Sequence, residues 1–318
     1  MTRKEISVLA LLVLLCAVVA AASPQFLSVA NLQNVARLVG TYGIFSIGVG
    51  IVIISGGIDL SVGSICALLG ILLSMMLVEW QWPAAIALAA IVVLGGTLGA
   101  GHGLLVTHLR LPPFIVTLCG LLLYRGAARY IADDSTKGFG SAAGFEWARA
   151  LASGSVAGVP MPFIALCVVA GLTWLLLHRS VYGRHLFAIG HNEEAARYSG
   201  VRTATVVVWA YVISGVLAAL SGIIIAFYTN SISPASHGNF YELYAIAAAV
   251  VGGCSLRGGE GSVLGIVMGA ALLQVLRNLV NLLDIPGSLD FAVMGAVILL
   301  GALADQLVAR RAQRGGSA

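Results

Sequence analysis

Apolar runs that reach bilayer-spanning length, alone or with their polar flanks, recur ten times along the chain. They lie at 6–22, 41–58, 65–78, 84–106, 113–123, 161–177, 205–227, 243–254, 262–276 and 289–304. A spanning helix needs ~20 mostly apolar residues. Lipid offers no partner to a backbone N–H or C=O, so repeated runs of this kind fold as helices. Nor is there enough charge to cover a water-facing surface: 9% of the 318 residues are charged, against about 25% in a soluble domain. The fold class expected is all-α, a polytopic membrane protein of about ten transmembrane helices, some interrupted by glycine. Residues 1–318 form one transmembrane domain.

The first run follows a basic start, MTRKE, and ends on the small residues of AVVAAASPQ, which also describes a secretory signal. No soluble exported stretch follows it, so we read it as a retained first helix. Ten crossings from a cytoplasmic N-terminus put both termini in the cytoplasm. Arg3, Lys4, Arg110, Arg179, Arg184, Arg197, Arg202, Arg257, Arg310, Arg311 and Arg314 then lie inside. Arg37, Arg125, Arg129, Lys137, Arg149 and Arg277 lie on the outer side or at outer helix ends. The larger inner share follows the positive-inside rule, and the tryptophans of EWQWP at 79–83 suit the outer headgroup level. Two long loops result, 132–160 outside, ended by Pro160 and Pro162, and 178–204 inside. Such loops either dock partners or simply connect helices.

Cys16, Cys66, Cys119, Cys167 and Cys254 sit in or beside apolar runs with no C-x-x-C pair, and read as packing residues. The histidines show no metal spacing, so no metal site is expected. His102, well inside an apolar run, reads as a packing or hydrogen-bonding residue. The phosphate-binding pattern G-x-x-x-x-G-K-[ST] does not occur, nor do H-E-x-x-H or G-x-S-x-G. This speaks against an enzyme. Small, loop-bound basic clusters leave no nucleic-acid footprint.

Four features carry the functional reading. In SGGIDLSVGS at 55–64, Gly56 and Gly57 can end one helix, while Asp59 or Ser61 caps the next near the cytoplasmic edge. This cap is preferred to a solute- or proton-binding carboxylate because the turn falls near that edge, and a proton-coupled role is argued against because Asp59 stands nearly alone, without an intramembrane His or Glu relay. VGGCSLRGGEGS at 251–262 weakly echoes that turn, as an internal repeat would. In the inner loop, Asn192, Glu193, Glu194, Arg197 and Gly200 spell a short capped helix able to dock into a partner's groove. Gln274, Arg277, Asn278 and Asn281 form one helical stripe, either a solute path or interhelical glue. Finally, Gly95, Gly99 and Gly103, and likewise Gly261, Gly265 and Gly269, recur every four residues and allow close helix packing.

SGGIDLSVGS, LPPFIVTL at 111–118, YGRHLFAIGHNEEAARYSGV at 182–201 and AAVVGGCSLRGGEGSVLG at 248–265 resemble, in order, the permease subunits of ribose-type monosaccharide ATP-binding-cassette importers. The resemblance implies a dimer of ten-helix permeases, of identical or paralogous chains, in a bacterial inner membrane. A periplasmic sugar-binding protein feeds it and a cytoplasmic ATPase drives it. ATP and Mg then sit on the ATPase, and no cofactor is bound by this chain. Glu194, Ala195, Ala196 and Gly200 match the family's coupling-helix core, with Arg184, Asn192, Glu193 and Arg197 as neighbours. Gly56, Gly57, Asp59, Ser61, Tyr124, Arg125, Asn230, Gln274 and Asn278 are the candidates for a monosaccharide path or gate. Arg257 and Glu260 depart from plainer relatives, either touching the ATPase or forming a local ion pair. An ATP-independent, proton-coupled transporter using Asp59 is the alternative.

Overall fold

The computed structural model describes residues 3–140 and 142–284, with isolated positions beyond. Helix α1 (Arg3–Ala22) fills the first apolar run, and a 3-10 turn at Pro24–Leu27 leads to α2 (Val29–Ile54). Helix α2 starts twelve residues before its apolar run because Ser28 caps it, its Oγ accepting from Asn31 N, and because its polar residues meet protein. Gln33 donates to the Gly158 carbonyl, and Arg37 lies over the Tyr228 ring. It also stops before residue 58: Ser55 is the C-cap, and Gly56 at φ +87° takes the left-handed position that glycine occupies without strain.

Helix α3 (Val62–Ser74) is prolonged by a π turn, Met75–Glu79. Then come α4 (Ala84–His108) and α5 (Pro113–Ile131), which starts on a proline that lacks only an N–H the first turn leaves unpaired anyway. The outer loop holds α6 (Glu146–Ser153) and a small antiparallel hairpin of β1 (Ser155–Val156) and β2 (Val159–Pro160). Helix α7 (Met161–His178) returns to an inner loop that is helical nearly throughout, as α8 (Val181–His191) and α9 (Glu193–Tyr198). Helices α10 (Thr203–Thr229), α11 (Tyr241–Val251) and α12 (Val263–Leu282) complete the described fold.

Eight helices among the described residues are long and apolar enough to span: α1, α2, α3 with its π turn, α4, α5, α7, α10 and α12. The crossing expected at 243–254 differs. Only 11 residues are helical there, and irregular backbone at 230–240 supplies the approach. The expected tenth helix, 289–304, lies outside the continuously described residues. Helix α2 is central, with 89% of its most apolar stretch buried, and α3 and α10 follow at 78% each. Helices α1 and α5, at 17% and 22%, present their apolar surface outward, as lipid contact demands.

The first glycine trio works as its spacing suggests. Gly95, Gly99 and Gly103 of α4 lie against the α10 backbone at Gly215, Tyr211 and Val208, where a Cβ would collide. The second trio is corrected. Gly265 and Gly269 pack on Gly252 and Ala248, but Gly261 precedes α12. Ser262 is the N-cap, its Oγ accepting from Gly265 N, so the helix cannot begin earlier; Gly261 packs on Cys254 and Ile54 instead. The two glycine-rich turns that echo each other in sequence meet in space, where Gly259 N donates to Ile54 O at 2.9 Å and Gly190 of α8 abuts both.

Candidate functional site

Helix α9 is built as its sequence suggests. Asn192 Oδ1 accepts from Ala195 N at 3.0 Å, Glu193 and Glu194 occupy the first turn, and Gly200 at φ +86° terminates it. Ala196 is buried, whereas Glu194 and Arg197 are exposed and 3.8 Å apart, a loose surface pair. Beside α9 opens a cavity of about 690 Å³. Glu193, Glu194 and Arg197 form one wall, Thr107 and Arg110 another, and Gly56, Gly57 and Tyr211 lie in its lining too. The docking helix and the glycine turn before Asp59 therefore share one space. Arg184, on α8, does not line it.

Asp59 is not an edge cap. It is 1% exposed, and its Oδ2 accepts from Ser214 Oγ at 2.9 Å. Ser214 stands eleven residues into α10, ~16 Å from that helix's start and ~22 Å from its end. The aspartate's Oδ1 accepts from Ser61 N at 3.0 Å and from Ser61 Oγ at 2.6 Å. Ser61 is the N-cap of α3 by position, but its side chain makes no cap bond, being committed to Asp59.

Nor does Asp59 stand alone. His102 Nδ1 lies 3.4 Å from Ser61 Oγ, and Tyr124 Oη lies 2.9 Å from His102 Nε2. Since Ser61 donates to Asp59, the consistent assignment has Nδ1–H donating to Ser61 and Tyr124 donating to Nε2. The adjoining Ile58 carbonyl accepts from Thr117 at 3.2 Å and from Tyr211 at 3.4 Å. Gly120 opposite leaves room for the imidazole, where a Cβ would collide with it. Three donors on one carboxylate offset part of its burial cost. Sequence reasoning left out Ser214, Tyr211 and these contacts of His102. One signal existed: His102 stands three residues after Gly99, on the helix face that meets α10.

A second polar group lies across Gly63. Arg125 Nη1 donates to the carbonyls of Pro234 at 3.0 Å and His237 at 2.6 Å, so it clamps the irregular segment before α11. Gly63 faces the Gly238 carbonyl and the buried Glu242 carboxylate. Asn230 is the left-handed C-cap of α10, exposed at φ 52°. On the α12 stripe, Asn278 exchanges two hydrogen bonds with Asn31, at 2.7 and 3.1 Å, which makes it glue between α12 and α2. Gln274 is buried and its Oε1 has no partner among the described residues, while Arg277 lies over the Tyr244 ring.

Glu260 pairs not with Arg257 but with Lys4 of α1, at 2.9 Å, and the donated hydrogen bond holds its carboxyl below the usual range. Among the described residues no cluster of His, Cys, Asp or Glu could hold a metal ion.

A helical bundle of this kind, with eight described helices able to span a bilayer and irregular backbone between them, defines a polytopic membrane protein. The chain belongs to the family described as branched-chain amino acid transport system / permease component, whose model matches residues 31–302. It is 36% identical to the ribose import permease protein RbsC of Haemophilus influenzae, over 92% of this chain and 90% of that one. To RbsC of Escherichia coli K12 it is 38% identical, over 94% and 92%. To the xylose transport system permease protein XylH of E. coli K12 it is 34% identical, over 90% and 87%. No solved structure matches the chain. It is a multi-pass membrane protein and a transport subunit. The match to permeases, rather than any isolation of Asp59, sets the proton-coupled reading aside.

Proposed function

We propose that this chain is the permease subunit of an ATP-binding-cassette importer that brings a monosaccharide, a pentose or hexose, across a bacterial inner membrane. The observation that carries the reading is similarity to ribose and xylose permeases over nine-tenths of the chain or more. The geometry supports it, since α9 presents exposed charged residues beside a cavity that reaches the glycine turn.

In this reading a cytoplasmic ATPase seats α9 and its neighbour Arg184, and carries the ATP and Mg itself. A periplasmic sugar-binding protein delivers the solute at the opposite, Trp80 end. A second permease protomer, identical or paralogous, completes the path. Movement of α9 reaches the membrane interior through Gly56, Gly57 and Tyr211, which share its cavity. The packed α4–α10 pair provides the stiff element against which the turn shifts.

Two measurements test this. Uptake of labelled pentoses and hexoses with the companion ATPase and binding protein should vanish when the ATPase is made inactive. Uptake that persists and falls only with the proton gradient would return Asp59 to the role of coupling carboxylate. Glu194→Lys and Gly200→Val should each cut uptake at least tenfold while insertion and the overall fold survive, because Glu194 is exposed and the strain a valine meets at φ +86° stays at the exposed end of α9. Transport that survives both would remove α9 from the mechanism.

A further inference from the structure

The backbone between α10 and α11 is irregular, yet it runs deep. Ile232 packs over Gly70 of α3, and Gly238 lies against Gly63, seven residues or ~10 Å further from the Trp80 end. Gly63 is itself sixteen residues, ~24 Å, from Glu79 at that end. Irregular backbone at such depth does not face lipid; it is buried in protein or lines a watery path. One side of this segment is nevertheless exposed in the single chain: Ala235, Ser236, Asn239 and Phe240.

We propose that the turn Pro234–Tyr241 is the monosaccharide-contacting wall of the solute path, with Phe240 as an apolar platform and Asn239 and Ser236 as hydroxyl partners. The proposal rests on the importer reading. A sugar ring offers a C–H face and a rim of hydroxyls, and solute sites join an apolar surface to a few placed polar groups. Phe240 is 47% exposed and sits at φ 64°, an outlier for so bulky a residue that its surroundings must enforce. Asn239 Nδ2 donates to Ala235 O at 3.2 Å, which orients the amide while its oxygen remains available to a solute hydroxyl.

The support behind the turn is polar as well. Arg125 holds it through two carbonyls and acts as a positioning residue. His237 is nine-tenths buried, and its Nε2 has no hydrogen-bond partner among the described residues. This imidazole nitrogen is closed to solvent as the turn stands, and a shift of the turn around an arriving solute would open it to a hydroxyl partner.

The test uses the complete importer in proteoliposomes, with labelled pentoses and hexoses as probes. Phe240→Ala should lower uptake at least tenfold with assembly of the importer unchanged, and Phe240→Tyr should restore it. Asn239→Cys should react with an aqueous maleimide above the wild-type background, and the transported sugar should slow that reaction. Phe240→Ala and Asn239→Ala transporting like an active wild type would overturn the site. So would maleimide labelling that the sugar leaves unchanged. A disulfide between two copies of Asn239→Cys, closed to the reagent, would make the turn a protomer contact instead. Absence of ATP-driven uptake in the wild type would sink the importer reading itself, a result distinct from the others.

Discussion

Two breaks in helical structure lie side by side inside this membrane protein, and they keep opposite hydrogen-bond accounts. The break at 55–61 holds Asp59, whose two oxygens take three donors and which is 1% exposed. The break at 230–240, which meets the start of α3 where Gly238 lies against Gly63, leaves His237 Nε2 without a partner among the described residues and exposes Ser236, Asn239 and Phe240. Satisfied polar groups in an apolar interior fix one arrangement, whereas unsatisfied ones await something. The difference teaches that helix interruption alone does not mark a solute site.

The largest expected effect breaks the closed region. Asp59→Leu strips the acceptor from Ser61 N, Ser61 Oγ and Ser214 Oγ, and should cost about 3 kcal/mol, since each orphaned buried donor costs ~1–3 kcal/mol. Asp59→Asn keeps one acceptor oxygen and should lose about half as much. Denaturant titration of the purified permease in detergent measures both. A loss near the ~1 kcal/mol of an ordinary helix cap would return Asp59 to the membrane edge.

An intermediate effect sharpens what closure is worth. Asn31 and Asn278 exchange two bonds, so the double-mutant cycle through Asn31→Leu and Asn278→Leu should give a coupling of about 1 kcal/mol, in the range found between membrane helices. Additive losses would show that Asn278 is free to serve the path.

The smallest effect belongs to a polar contact that water reaches. Lys4 and Glu260 are each about half exposed, so Glu260→Gln should change stability little at neutral pH, and less in high salt. Because Glu260's folded pKa is lowered, its contribution is present above the ordinary carboxylate range. It is lost as pH falls through the lowered value. The wild-type advantage over Glu260→Gln in the same denaturant titration should therefore vanish in acid.

Features written in local sequence were legible. The apolar runs located the spanning helices, Asn192 and Gly200 bounded α9, and the four-residue glycine period of α4 found its partner face. What depended on long-range register was not. Asp59 reads as an edge residue because its chain neighbours end one helix and start another; its depth is set by Ser214, 155 positions away. Apolar residues at 243–254 report burial but not helix length, so the short α11 looked like a full crossing. The stripe through Gln274 and Asn278 shows a polar face without saying that Asn31 occupies part of it.

The bond from Gly259 N to Ile54 O has a consequence for biosynthesis. The two residues are 205 positions apart. At about 5–20 residues per second, the first turn emerges roughly 10–40 s before its partner exists. Ser214, which completes the Asp59 group, also arrives late. The N-terminal third therefore waits in the bilayer with a bare carbonyl and a half-served carboxylate. A nascent chain halted before α10 lacks what seals its first turn, and is a ready target for quality-control proteolysis.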